Sequence, residues 1–134
     1  MKVFVDTSAI VALLWASDSN HSVAKEIWNK LLSRRARLIT TELVLAESVA
    51  LARSRAGFEI AREVWTSLVS EAFALEWTNE EILVDAKRIF EKYSDHELSL
   101  CDCVSAAIMK KSRIRTAFAF DRDFEILGFD LARA

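Results

Sequence analysis

Met1 to Ser17 read MKVFVDTSAIVALLWAS, and the way this stretch folds sets the reading of everything after it. Lys2 to Val5 is a short β-branched and aromatic run without polar alternation, as expected of a strand buried on both faces. Asp6, Thr7 and Ser8 end the run, and the apolar segment Ala9 to Ala16 follows as a helix. A buried strand leading directly into a helix is the opening unit of a parallel α/β sheet, so Asp6 stands at the carboxyl end of a strand. The same stretch has a charged residue ahead of an apolar segment, as a secretory leader does. Asp6, Thr7 and Ser8 interrupt that segment, which argues against a cleaved leader.

Working outward, His21 to Ser33 carries Val23, Ala24, Ile27, Trp28 and Leu31 at helical spacing, with charge on the opposite face. Leu38 to Thr40 fits a short strand ahead of a helix over Glu42 to Arg55, which Gly57 can end as a left-handed cap. Phe58 to Glu71 predicts a further amphipathic helix and Phe73 to Trp77 a strand. Thr78 to Glu81 (TNEE) reads as a capping box opening a helix that runs to about Tyr93. Ser99 starts a helix ending near Lys111. Arg115 to Phe120 is a strand, Phe124 to Leu127 a turn, and Phe129 to Leu131 a short final strand. Strands separated by helices indicate a central parallel sheet with helices on both faces. The chain has no proline, only Gly57 and Gly128, no linker composition and no repeat, so residues 1–134 are expected to form one domain.

Composition narrows the class. In 134 residues, a 52% hydrophobic content supports one substantial core and argues against disorder. Eighteen Lys and Arg against 20 Asp and Glu give a net charge of -2, so the chain is not a polycation that coats nucleic acid. Any nucleic-acid contact must come from local basic patches, of which Lys110, Lys111, Arg113 and Arg115 form one and Arg34, Arg35 and Arg37 another. No segment is long and apolar enough for a membrane span. Cys101 and Cys103 are two apart, about 200° around a helix axis, and cannot pair with each other. Without a disulfide framework or a zinc-ligand spacing, the chain reads as a reduced cytoplasmic protein with two small buried thiols. Trp15, Trp28, Trp65 and Trp77 suit core or interface, and so many apolar helices predict surface that a homodimer or a bound partner would cover.

Four acids stand where acids are expensive. The helix Glu42 to Arg55 is apolar nearly all round between Leu43 and Ala52 apart from Glu47 and Ser48, so it is expected to be largely buried. Glu47 then needs either a structural arginine or a metal. Asp6 is an ordinary N-cap or a residue of a site just outside the strand ends, where open α/β sheets bind ligands. Asp121 follows a strand in the same way, and Asp102 either completes a capping box with Ser99 or faces the same site. Gathered carboxylates without an organised Lys or His persist best around a hard divalent cation, and magnesium or manganese matches all-oxygen ligands. Such an ion binds phosphates and acidifies water, which leads to phosphodiester hydrolysis without a nucleophilic side chain. Two glycines leave no room for a phosphate loop or dinucleotide fingerprint. His21 and His96 sit among polar neighbours and look solvated. A phospho-acceptor receiver domain fits poorly: no acidic pair closes the first strand, and Lys110 and Lys111 precede the last strong one.

The segments VFVDTSAIVALL, ELVLAES, LSLCDCVSAAI and FAFDRDF resemble, in order and spacing, the four acidic motifs of PIN-domain proteins, over essentially the whole chain. The short length is similar to that of the VapC-type toxins of toxin-antitoxin pairs. The resemblance implies a Rossmann-like parallel sheet and a magnesium- or manganese-dependent endoribonuclease acting on RNA, held inactive by a VapB-like antitoxin. Carried over by position, it assigns Asp6, Glu47, Asp102 and Asp121 as catalytic, metal-holding acids, with Asp123 as an auxiliary. A PIN nuclease of RNA maturation or decay, or a catalytically silent binding module, is the alternative. Two departures stand out. Ala119 replaces a Thr or Ser common two residues before the last acid, leaving Thr7 or Thr116 to supply a hydroxyl, and Cys103 stands where Ala is common.

Overall fold

Val3, Phe4 and Val5 have no exposed surface, as a strand with a neighbour on each side and helices above and below requires. The computed structural model, which describes Met1 to Ala134, places them in β1 (Lys2–Val5), the middle of a five-stranded sheet. Next along the chain come α1 (Thr7–Leu14), α2 (His21–Ser33), β2 (Arg37–Thr41), α3 (Glu42–Ala56), α4 (Phe58–Leu68) and β3 (Ala74–Glu76). The second half contributes α5 (Glu80–Lys92), α6 (Leu100–Lys111), β4 (Thr116–Phe118), α7 (Asp123–Ile126) and β5 (Asp130–Leu131). The strand order is β3-β2-β1-β4-β5 and every pairing is parallel, with Phe4 opposite Ile39 on one side and Ala117 on the other.

This order decides where a site can form. From β1 the chain steps outward to β2 and then β3, returns across the sheet to β4, and continues outward to β5. Crossovers between parallel strands are right-handed, so the first two steps put α1 to α4 on one face and the later steps put α5 to α7 on the other. The packing agrees: α1 touches α2, α3 and α4, whereas α5 packs on α6. One core cluster joins the sheet to the first layer, and a second, built on Ile82, Ala86, Ile89, Val104 and Ala107, lies between α5 and α6. Connections leave β1 and β4 in opposite directions, which opens a crevice at their carboxyl ends.

Local boundaries shift for identifiable reasons. Helix α1 begins at Thr7, two residues before the expected Ala9, because Asp6 itself is the cap and its side chain accepts the Ser8 N–H. Gly57 ends α3 and also begins α4, with φ 97° and ψ 179°. That positive φ favours glycine, but the backbone is extended there and does not form a left-handed helical cap. The TNEE box is replaced by a different cap, in which Asn79 accepts the Ile82 N–H. Thr78 instead turns its N–H and hydroxyl onto the Glu42 carboxylate and ties β3 to the start of α3. Helix α3 departs most from expectation. Only Val44, Ser48 and Ala52 are buried along it, because α4 and α1 cover one side and leave Ala46, Glu47 and Ala50 open.

Candidate active site

Asp6 and Asp121 emerge just beyond β1 and β4, at the crevice where the sheet connections diverge. Hydrogen bonds lock the two strand ends together. The Asp6 N–H donates to the Phe118 carbonyl at 3.0 Å. The Ser8 hydroxyl accepts the Phe120 N–H at 2.9 Å and donates to Asp6 Oδ2 at 2.7 Å. The Ser8 N–H donates to the same oxygen at 3.1 Å, so Oδ2 carries the cap while Oδ1 has no protein donor.

Asp102 is built in by the same device. Ser99 and Asp102 form a reciprocal capping box at the start of α6: the Asp102 N–H donates to the Ser99 hydroxyl at 3.0 Å, and the Ser99 N–H donates to Asp102 Oδ2 at 3.1 Å. Its other oxygen is free. Asp121 Oδ1 accepts the Asp123 N–H at 2.9 Å, which turns the chain into α7. Carboxylate oxygens of Asp102, Asp121 and Asp123 all lie within 4.8 Å of one another. Asp6, Glu47, Asp102 and Asp121 line one cleft of about 340 Å³ together with Asp18, Asn20 and Arg55. None of the four, nor Asp123, has an ion-pair partner.

Crowding and burial act together on these groups. Burial pushes the Asp6 carboxyl up from its ordinary 3.8 to about 6, against the two Ser8 bonds that favour the charged form, and the charge of Asp102 adds to the rise. Burial and then the charge of Asp121 raise Asp102. Asp123 is raised by burial first and by its neighbour Asp121 next. The buried Cys101 thiol is pushed up by burial and by the charges of Glu47, Asp6 and Asp102, which makes it an inert filler of the core. A set of oxygen ligands without cationic partners, paying in repulsion for its own proximity, fits a hard divalent ion and little else.

The structure thus brings Asp6, Glu47, Asp102 and Asp121 to one cleft, with Asp123 beside two of them. Glu47 arrives by a different route from the one expected: it reaches the cleft from an exposed position on α3, not from a buried helix. The basic run Lys110, Lys111, Arg113 and Arg115 does not flank the acids. It lies at the far end of α6 from Asp102 and at the start of β4, where Lys110, Arg113 and Arg115 border a separate hollow beside Gly128. Arg34 and Arg35 precede β2 and Arg37 begins it, at the amino end of the strands as well. A helix whose acid end faces the site necessarily carries its basic end away from it.

Four residues escape a reading by motif. The Ser8 hydroxyl bridges Asp6 and the Phe120 N–H; Thr7 is buried with an unpartnered hydroxyl, and Thr116 begins β4 at the end away from the acids. The Asp6-x-Ser8 spacing, an acid capping its own second neighbour, is the signal that marks it. Asp18 and Asn20 enter through a turn, Asp18 Oδ1 accepting the Asn20 N–H at 2.8 Å. Arg55 is the cleft's only cation, brought in two turns of α3 after Glu47.

Comparisons with known proteins agree on one family. The family model described as PIN domain matches residues 3–130. The chain is 32% identical over 127 residues to the 23S rRNA-specific endonuclease VapC20 of Mycobacterium tuberculosis, covering 95% of each chain. It is 27% identical over 120 residues to Ribonuclease VapC26 of the same organism, covering 90% of this chain and 87% of that one. The crystal structure of VapC20, described as a Sarcin-Ricin loop cleaving toxin, superposes with a TM-score of 0.92 over 98% of this chain and 99% of the other. FitAcB from Neisseria gonorrhoeae shares the fold, with a TM-score of 0.68 at 16% identity, covering 96% of this chain and 95% of that one.

Proposed function

The chain belongs to the PIN-domain family, and from that premise we propose that it is a metal-dependent endoribonuclease of the VapC type, the toxin of a toxin-antitoxin pair, working as one domain. The observation that carries the chemistry is the convergence of Asp6, Glu47, Asp102 and Asp121 on one cleft with no acid neutralised by an ion pair. Magnesium or manganese, held by these carboxylates with Asp123 as an auxiliary, would polarise the phosphodiester and acidify the attacking water. The chain's own residues do the positioning. Ser8 fixes one oxygen of Asp6 and the Ser99 backbone fixes one oxygen of Asp102, so each acid presents its remaining oxygen in a set direction. Burial of Asp6 keeps the site selective for strong positive charge, since without a cation the carboxyl titrates near neutrality.

A folded RNA substrate follows from the likeness to an endonuclease named for 23S rRNA. An antitoxin follows from the VapC relationship, and the surface offers it a place. A groove of about 580 Å³ runs between α1, α2 and the end of α4, with Trp28 stacked on Phe73 at 5.9 Å along its wall. Leu83 and Phe90 on α5, with Phe58 and Trp65 on α4, are more than two-fifths exposed and support a homodimer. No helix is long and apolar enough to cross a membrane, and the reduced thiols Cys101 and Cys103 support a cytoplasmic setting.

Incubating total RNA with the purified protein and manganese, beside an Asp6→Asn variant, tests the reading. Cleavage by the wild type alone supports it, and equal cleavage by both removes the carboxylate mechanism. Co-expression with the product of an adjoining small gene, and its copurification, separates a toxin from an RNA-maturation nuclease.

A further inference from the structure

Arg55 is the one cation lining a cleft that also holds Asp6, Asp18, Glu47, Asp102 and Asp121, yet it pairs with none of them. An exposed guanidinium beside five carboxylates would ordinarily swing onto one. Here its carbon sits 6.0 Å from the centre of the ring of Trp15, the C-cap of α1, at cation–π distance. Glu47, Leu51 and Arg55 are spaced by four along α3 and all three face the cleft, so they form one stripe leading away from the acids. Eight residues of helix put Arg55 about 12 Å along the axis from Glu47. A stacked nucleic-acid strand covers that distance in three to four nucleotides at roughly 3.4 Å each.

Resting on the nuclease reading above, we propose that Arg55, held by Trp15, grips a backbone phosphate of the RNA a few nucleotides from the bond being cut. The chemistry favours this assignment. Ions held by the acids would offset their charge toward RNA, but beyond the reach of such ions the walls remain negative and would repel the flanking phosphates. One planar, always-charged fork at the end of the stripe offsets that repulsion and registers the strand through two parallel hydrogen bonds. The basic residues of α6 and β4 cannot supply this contact from the far end of the sheet.

The test is binding of a short fluorescein-labelled single-stranded RNA by anisotropy, in calcium-containing buffer, over a range of salt concentrations. Arg55→Ala should weaken binding roughly tenfold or more, since hydrogen bonds between charged groups are being removed. It should also flatten the plot of log affinity against log salt by about 0.7, the slope of one phosphate contact on a single strand. Arg55→Lys should keep the salt slope and recover only part of the affinity, and Trp15→Leu should weaken binding with the slope unchanged. Neutralising phosphates one at a time as methylphosphonates should find one position that costs the wild type affinity but costs Arg55→Ala nothing. Arg55 is exposed, so melting temperatures should not move. Unchanged affinity and slope in Arg55→Ala, or no methylphosphonate masked by it, overturns the proposal. Manganese-dependent cleavage of the same RNA, followed in parallel, reports on the nuclease reading separately. Arg55-dependent binding without cleavage sinks the nuclease reading alone, and cleavage with Arg55-independent binding sinks the phosphate grip alone.

Discussion

Replacing Asp6 by Asn should abolish cleavage and, in metal-free buffer, make the protein more stable. Asp6 is 5% exposed, and its carboxyl is raised from 3.8 to about 6, with burial as the main cause and Asp102 contributing. At 1.36 kcal/mol per decade, holding it ionised inside the fold costs about 3 kcal/mol relative to the unfolded chain. The sign follows from proton uptake. Between about pH 4 and pH 6 the folded protein binds a proton that the unfolded chain has already released, so stability falls as pH rises through that window and stays low above it. Asn keeps an oxygen for the Ser8 N–H and hydroxyl, so the cap at the start of α1 survives the change. Urea titrations in EDTA should therefore show Asp6→Asn more stable than wild type by up to about 3 kcal/mol at pH 8, with the gap closing toward pH 4. A variant no more stable than wild type at pH 8, or one with the same advantage at pH 4, would show that Asp6 is not held at a cost and that the charge-cluster argument is wrong.

Three further outcomes follow from the same geometry. Manganese at a hundredfold excess over its Kd should stabilise the wild type by about 2.7 kcal/mol in thermal or urea unfolding, and Glu47→Gln should reduce the increment; no increment at millimolar metal would mean the acids are only caps. Ser8→Ala deletes the hydroxyl that bridges Asp6 and the Phe120 N–H, so it should lose about 1 to 3 kcal/mol in urea and a large share of cleavage, although Ser8 is itself no metal ligand. Gly57→Ala should lose about 1 to 3 kcal/mol through backbone strain, because φ is 97° with extended ψ while nothing lies within 4 Å of the added Cβ.

The fold was legible where local patterns and tertiary demand coincide. Lys2 to Val5 and His21 to Ser33 form as read, because a buried apolar run in the first and a three-and-four apolar spacing in the second each leave one answer. Shifts came where a side chain had two possible partners. Thr78 is a good cap residue, but Glu42 lies across the fold and takes it, so Asn79 caps α5 instead. Asp6, Glu47, Asp102 and Asp121 share one cleft, yet Glu47 is exposed where the apolar run around it implies burial. An apolar periphery on α3 signals burial only if something covers it, and within one chain nothing covers Ala46 or Ala50. The basic run was misplaced for a related reason: sequence shows that Lys110 to Arg115 are clustered, but only the direction of α6 relative to the sheet shows that the cluster points away from Asp102.

Helix caps and cleft acids first present themselves as competing explanations, and in the structure they are the same residues. Asp6 caps α1, Asp102 closes the box that starts α6, and Asp121 receives the N–H that turns the chain toward α7. In each case one carboxylate oxygen is spent on the backbone and the other is left to the cleft. A carboxylate so divided is fixed in direction without a second side chain to hold it, which is economical in a chain of 134 residues with few polar groups near its core. Asp6 and Asp121 fall at the carboxyl edge of the sheet because they follow β1 and β4, and α6, which runs back to the start of β4, brings Asp102 to the same edge at the switch point between the two strands. On the proposed reading the same arrangement couples chemistry to folding: substitutions by Ala at Asp6 or Asp102 would remove a cap and a metal ligand together, whereas Asn preserves most of the cap. Activity lost in the Asn variants with stability intact is therefore the measurement that separates the two roles, and a comparable loss of stability in Asn and Ala variants would assign these carboxylates to the fold alone.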